Sequence, residues 1–95
     1  MPFFTYMLEC ADQSFYVGHT DNMPQRLSQH QSGKIDSYTA SRLPVKLVWY
    51  QIFHERNAAF IVERKIKGWS RAKKAALIVR DWQTLSELCS RAKKI

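Results

Sequence analysis

Cysteine is scarce and long apolar runs are missing. Cys10 and Cys89 lie far apart in the 95-residue chain and neither belongs to a CxxC pair, which disfavours both a disulfide framework and a thiolate zinc site. They read as small buried residues. No run approaches the ~18 apolar residues that span a membrane, and the opening MPFFTYMLE has neither the basic flank nor the small-residue cleavage site of a secretory signal. A cytoplasmic chain is expected. Acidic residues are the third shortage: eight Asp and Glu stand against fifteen Lys and Arg, a formal charge of +7. The deficit is one-sided, because residues 1–50 hold four of each sign whereas residues 51–95 hold eleven basic and four acidic. Such a concentration of positive charge suits a polyanion, nucleic acid above all, or else forms solvated helix faces that aid solubility.

What is present suits one domain. A content of 45% hydrophobic and 13% aromatic residues can bury a little over ~60% of the unfolded surface without staples. FFTYMLE and SFYVG are short, aromatic and β-branched, and the Asp of the intervening CADQ favours a turn, so the pair reads as an antiparallel hairpin. VKLVWYQIF, after Pro44, is a third strand. Asp21 or Asn22 caps a helix with Pro24 in its first turn, running to about Gln31 with Gly33 as its stop. Asn57 is the expected cap of a second helix, striped by Ala58, Val62, Ile66 and Trp69 and ended by Gly68. Ser70 caps a third, with Ala75, Ile78, Val79 and Trp82 as its apolar face, and Thr84 a fourth, with Leu85, Leu88, Cys89 and Ala92 inward. The order ββαβααα makes an α/β (α+β) fold: a three-stranded antiparallel sheet packed by about four helices. Residues 32–44 show no clear period and form a long polar loop holding Lys34, Tyr38, Thr39 and Arg42, either a mobile connection or a functional one.

Chemistry-bearing residues gather near the hairpin. Arg26 and His30 are four apart on the first helix and emerge on one face. Tyr6 and Tyr16 share a sheet face only if the paired positions sum to an even number, which requires an odd number of loop residues. A three-residue loop at Asp12 to Ser14 would satisfy this, and a two-residue turn would not. Glu63 stands at the edge of an apolar stripe, and its spacing to Lys67 reads as an exposed i,i+4 pair. His30 reads as a solvent-facing helix histidine or as an acid–base group suited to neutral pH.

TYMLECADQSFYVG, followed by Arg26, His30 and Glu63, resembles the GIY-YIG nuclease domain in its small single-domain bacterial branch. The first triplet stands as TYM and the second as YVG; YTASRLPVKLVWY and ERKIKGWSRAKKAALI also resemble that branch. The resemblance implies a nuclease domain over residues 1–80, with residues 81–95 an accessory helix of the same unit. It implies hydrolysis of phosphodiester bonds in DNA, structure-selective and serving repair or recombination, by Tyr6, Tyr16, Arg26, His30 and Glu63. Glu63 would hold one Mg²⁺ or Mn²⁺, hard cations that take substrate phosphate and water alongside a single carboxylate. Arg26 would grip a phosphate oxygen with its planar fork. Tyr6, or second Tyr16, would take the proton of the attacking water, with Arg26 and the metal favouring the phenolate and His30 accepting the proton or holding the water. Gly18 is structural, allowing close approach. Nucleic-acid contacts are assigned to His19, Lys34, Tyr38, Arg42, Lys73 and Lys74, with Arg91, Lys93 and Lys94 adding charge. The partners implied are DNA and a targeting protein, without a membrane. A non-catalytic nucleic-acid-binding module is the alternative.

Overall fold

Strand β1 (Phe3–Glu9) lies between β2 (Phe15–Thr20) and β3 (Lys46–Phe53) in an antiparallel sheet of order β2-β1-β3. The computed structural model describes residues 2–93, with side chains through residue 90. Strand partners flank both edges of β1 and helices cover both its faces, so Thr5, Tyr6, Met7 and Leu8 are all buried. This explains its near-continuous apolar run.

Even positions of β1 face one layer. Tyr6 and Leu8 pack with Cys10, Val45, and Met23 and Leu27 of α1 (Met23–Gln31). Odd positions face the other: Met7 and Val17 pack with Ile66 of α3 (Arg56–Lys67), Leu77 of α4 (Arg71–Ile78) and Leu85 of α5 (Trp82–Lys93). Thr5 ties β1 to that second layer by donating to the Ala59 carbonyl at 2.7 Å. A β-bulge opposite Met7 and Leu8 pairs Leu8 with Leu47 but Met7 with Trp49. The extra residue turns Leu47 and Tyr50 to the same face despite their odd separation.

Local signals place most ends. Asn22 caps α1 by accepting from the Gln25 N–H, Ser70 caps α4 by accepting from the Lys73 N–H, and Gly68 closes α3. Gly33 follows α1 at φ +73°, a conformation costly for any side chain. Cys10 is buried and Cys89 half-buried, both as free thiols.

Several expectations need correction. The hairpin pairs Glu9 with Phe15, and Cys10 N–H meets the Ser14 carbonyl, so the loop is Ala11 to Gln13, one residue earlier than expected but still odd in number. Residues 32–44 are not a plain loop, because Asp36 caps a short α2 (Ser37–Ala40) by accepting from the Tyr38 N–H. That single turn is too short to show a period and brings the described helices to five. Asn57 lies inside α3, whose N-cap Glu55 makes no side-chain capping bond. Asp81, not Thr84, caps α5: it accepts both the Thr84 N–H and hydroxyl. On α4, Ala76 and Leu77 are buried while Ala75 is exposed and Val79 and Trp82 stand open to solvent. The sheet meets α4 from a direction that its own spacing does not encode. Ala92 of the expected α5 face lies outside the described side chains.

Candidate active site

The register of the hairpin sets the first part of the site. Tyr6 pairs with Gly18 and Leu8 with Tyr16, so both tyrosines project from one face. A Cβ on Gly18 would stand 2.6 Å from the Tyr6 hydroxyl and 2.8 Å from Cζ. The Tyr6 ring therefore lies across Gly18 and carries its hydroxyl towards the open edge of β2.

The last turn of α1 supplies His30, which is wholly buried rather than solvent-facing. Its Nε2 lies 2.8 Å from the Tyr6 hydroxyl and its Nδ1 2.9 Å from the Thr39 hydroxyl of α2. Its ring packs edge-on against Tyr16, with centroids 4.8 Å apart. Arg26, one turn earlier, bears electrostatically on Tyr6, Tyr16 and His30.

Glu63 comes from the other layer, on α3, beside the edge of β2. It is buried at 7% exposure, not an exposed partner of Lys67, although Lys67 does reach its Oε2 at 3.5 Å. His19, on the α3 side of β2, donates Nδ1–H to Glu63 Oε1 at 2.8 Å. Tyr6, Tyr16 and His30 are therefore in mutual contact, while Glu63 meets His19 and Lys67 instead and bears on the two tyrosines through its charge.

Burial raises the Tyr6 hydroxyl well above the ordinary phenol value; Tyr16, Glu63 and Asp36 add to this and Arg26 opposes it. Tyr16 is pushed up to about 12, first by burial, then by the charge and acceptor oxygens of Asp36, then by Glu63. Burial lowers His30, with Arg26 adding to the effect and Asp36 opposing it. The ground state is therefore two neutral phenols around a neutral imidazole. Arg26 does not overcome burial to make Tyr6 a phenolate.

Among the described residues no group of three or more His, Cys, Asp or Glu side chains could enclose a metal. Glu63 instead opens on a cleft of about 300 Å³ lined by Phe60, Arg64 and Lys67. One carboxylate facing an open cleft is a donor set that suits a hard cation completing its shell with water and phosphate oxygens, once that cation displaces His19 or Lys67 from the Glu63 oxygens. It does not fit a cation that needs a closed protein cage.

The remaining expected contacts divide. Arg42 stacks over Tyr38 at 3.9 Å and bonds Asp12 at 3.0 Å, and Tyr38 continues to Tyr16 with ring centroids 6.3 Å apart. Lys34 is exposed between α1 and α2. Lys73 and Lys74 sit half-buried on α4, which packs on the Met7 side of the sheet, opposite Tyr6 and Leu8. The side chains of Arg91 and Lys93, and all of Lys94, lie outside the described residues. Three neighbours of these residues carried no assigned role in the sequence: Thr39, named there only as part of the 32–44 loop, and Asp36, both near His30, and Phe60, whose ring meets His19 at 5.5 Å beside Glu63. An Asp followed by a short polar turn was the one available signal, as a cap.

The model of the GIY-YIG catalytic domain matches residues 2–76. The chain belongs to the GIY-YIG family. Within it, a UPF0213 protein of Natronomonas pharaonis is 41% identical over 75 residues, covering 79% of this chain and 88% of its own length. A UPF0213 protein of Streptococcus pneumoniae is 44% identical over 71 residues, covering 75% and 72%. The solution NMR structure of the UPF0213 protein BH0048 from Bacillus halodurans shares 38% identity and a TM-score of 0.55, covering 83% of this chain and 84% of that one. That of the protein EF2693 from E. faecalis gives 29% and 0.59, covering 87% and 88%. This GIY-YIG chain thus shares its fold with the solved UPF0213 protein of Bacillus halodurans. No described helix is long and apolar enough to cross a membrane.

Proposed function

We propose that this GIY-YIG protein is a metal-dependent endonuclease that hydrolyses phosphodiester bonds in DNA, selects its substrate by structure, and serves repair or recombination. The observation that carries this reading is the buried Tyr6–His30 hydrogen bond of 2.8 Å beside Tyr16, within the electrostatic reach of Arg26. Hydrolysis needs a proton taken from water, and a neutral imidazole behind a phenol can take it.

Glu63 would hold Mg²⁺ or Mn²⁺, whose charge would stabilise the negative charge developing at the phosphate and leaving group. Arg26 grips a non-bridging phosphate oxygen through its fork. Tyr6 accepts the proton of the attacking water as its own proton passes to His30 Nε2, so no free phenolate has to form in this apolar pocket. A new P–O bond forms to the water oxygen, the bond to the 3′-oxygen breaks, and that oxygen takes a proton from solvent. Arg56, Arg64 and Lys67, all on the outer side of α3 with Phe60, offer phosphate contacts next to Glu63. A protein partner would supply targeting.

The binding-module alternative has one observation in its favour: both Glu63 oxygens are engaged, by His19 and Lys67. Purified protein incubated with labelled single-stranded, duplex, flap and junction DNA decides between them. Cleavage with Mg²⁺ or Mn²⁺ that EDTA and Glu63→Gln abolish, while binding persists, is the expected result. Binding without cleavage across the whole panel would establish the module.

A further inference from the structure

The Thr39 and Asp36 groups behind His30 have no part in the chemistry just described, yet they enclose its imidazole. Thr39 and His30 are both at 0% exposure, and burying polar groups this deeply requires every donor to find an acceptor. The direction of the hydrogen bonds follows from one fixed end. The Asp36 backbone carbonyl can only accept, so the Thr39 hydroxyl donates to it, at 3.3 Å. The Thr39 oxygen is then the acceptor for His30 Nδ1–H at 2.9 Å. Nδ1 holds the proton, Nε2 keeps its lone pair, and the Tyr6 hydroxyl donates to it at 2.8 Å.

The opposite tautomer keeps fewer of these bonds. With the proton on Nε2, the buried Tyr6 hydroxyl must accept from His30, and its own proton is left to solvent, since no other described residue bonds it. Thr39 would have to turn towards Nδ1 and leave the Asp36 carbonyl to the Ala40 N–H alone. The groups facing His30 from other elements, Tyr6 on β1, Tyr16 on β2 and Asp36 before α2, together with Arg26 on its own helix, contain no other partner bonded to Nδ1.

We propose that Thr39, anchored by the Asp36 carbonyl, is a positioning residue that holds His30 in the Nδ1–H tautomer and so keeps Nε2 free to receive the Tyr6 proton. The catalytic consequence rests on the nuclease reading; the tautomer does not. Residues 32–44 thereby acquire a function, because the Asp36 cap forms the single turn of α2 and that turn delivers the Thr39 hydroxyl to the imidazole.

Long-range proton–nitrogen NMR of the full chain, above the ordinary histidine pKa, reads the tautomer directly. Wild type should show a protonated Nδ1 and an unprotonated Nε2 on His30. Thr39→Val and Thr39→Ala, which remove the hydroxyl, should mix in the Nε2–H form and slow cleavage by about tenfold or more, as loss of a residue orienting a functional histidine commonly does. Thr39→Ser should restore both the tautomer and most of the rate. An Nε2–H imidazole in the wild type overturns the proposal whether or not the variants fold. So does a Thr39→Val protein with wild-type tautomer and wild-type rate. If wild type cleaves nothing, the nuclease reading falls while the spectrum still decides the tautomer.

Discussion

A methyl group at position 18 would stand 2.6 Å from the Tyr6 hydroxyl and 3.2 Å from the Tyr16 ring. Overlap of that size moves the ring, because the Gly18 backbone is held in the ladder. Gly18→Ala should therefore cost about 1–3 kcal/mol in denaturant unfolding, the range for overpacking. It should also slow cleavage by at least about tenfold, since the Tyr6–His30 bond is what moves. A variant with wild-type rate would separate Tyr6 placement from activity. His30 gives a pH test with a definite sign. Burial holds its pKa below the ordinary 6.5, so near that pH the unfolded chain binds more protons than the folded one. Stability then rises with pH. The contribution is complete above about 6.5, is lost as pH falls through that value, and levels off below the folded pKa. Thermal unfolding of wild type should fall across this window, and His30→Gln should flatten the fall. Equal pH dependence in both proteins would mean that other groups cause it.

Helices α3 and α4 carry similar charge but stand differently towards the site. The α3 stripe of Arg56, Phe60 and Arg64 repeats at i, i+4 and i+8 and borders the clefts beside Glu63 and His19. On α4, Lys73 and Lys74 are half-buried, and burial lowers the Lys74 pKa. If DNA lies against Glu63, the two arginines meet phosphates first. Replacing both Arg56 and Arg64 by Gln should make the slope of log K against log salt shallower by about 1.8 on duplex DNA, at ~0.9 per phosphate contact. Replacing Lys73 and Lys74 should change it less. A larger change from the α4 pair would place the DNA track across α4 instead of along the Glu63 side of α3.

For the whole molecule, the three-stranded sheet separates two cores of different character. The Tyr6 and Leu8 side closes on α1 and α2 and holds the buried Tyr6, His30 and Thr39 hydrogen bonds; the Met7 and Val17 side closes on α3, α4 and α5 with a mostly apolar core. Half-buried Leu85 joins α5 to that second core. Leu85→Ala should cost about 2 kcal/mol, the low end for leucine truncation. That is a fall of about 8–16 °C in melting temperature for a chain of this size. Cleavage at low temperature should be unchanged, because α5 contributes no group to the site as described. A loss of rate with an unchanged melting temperature would make α5 a functional element.

Local chemistry was enough for the existence of the hairpin, the Ser70 cap and the Gly68 stop, and it narrowed the α1 cap to Asp21 or Asn22 and the tyrosine parity to the oddness of the loop, because each depends on residues within a few positions of one another. The triplets TYM and YVG, with Arg26, His30 and Glu63, were enough for the family. Sequence alone also raised the possibility of an acid–base role for His30 without revealing what held it. That took Thr39, nine residues on, carried by a helical turn too short to have a period. Glu63 was misread as exposed for a related reason. Its burial and its bond to His19 join residues 44 apart, and a helix's own periodicity cannot report which strand edge it will meet. Tertiary packing decided protonation too, since burial raised Tyr6 and lowered His30, and removal of water is a property of the assembled layers and not of either residue.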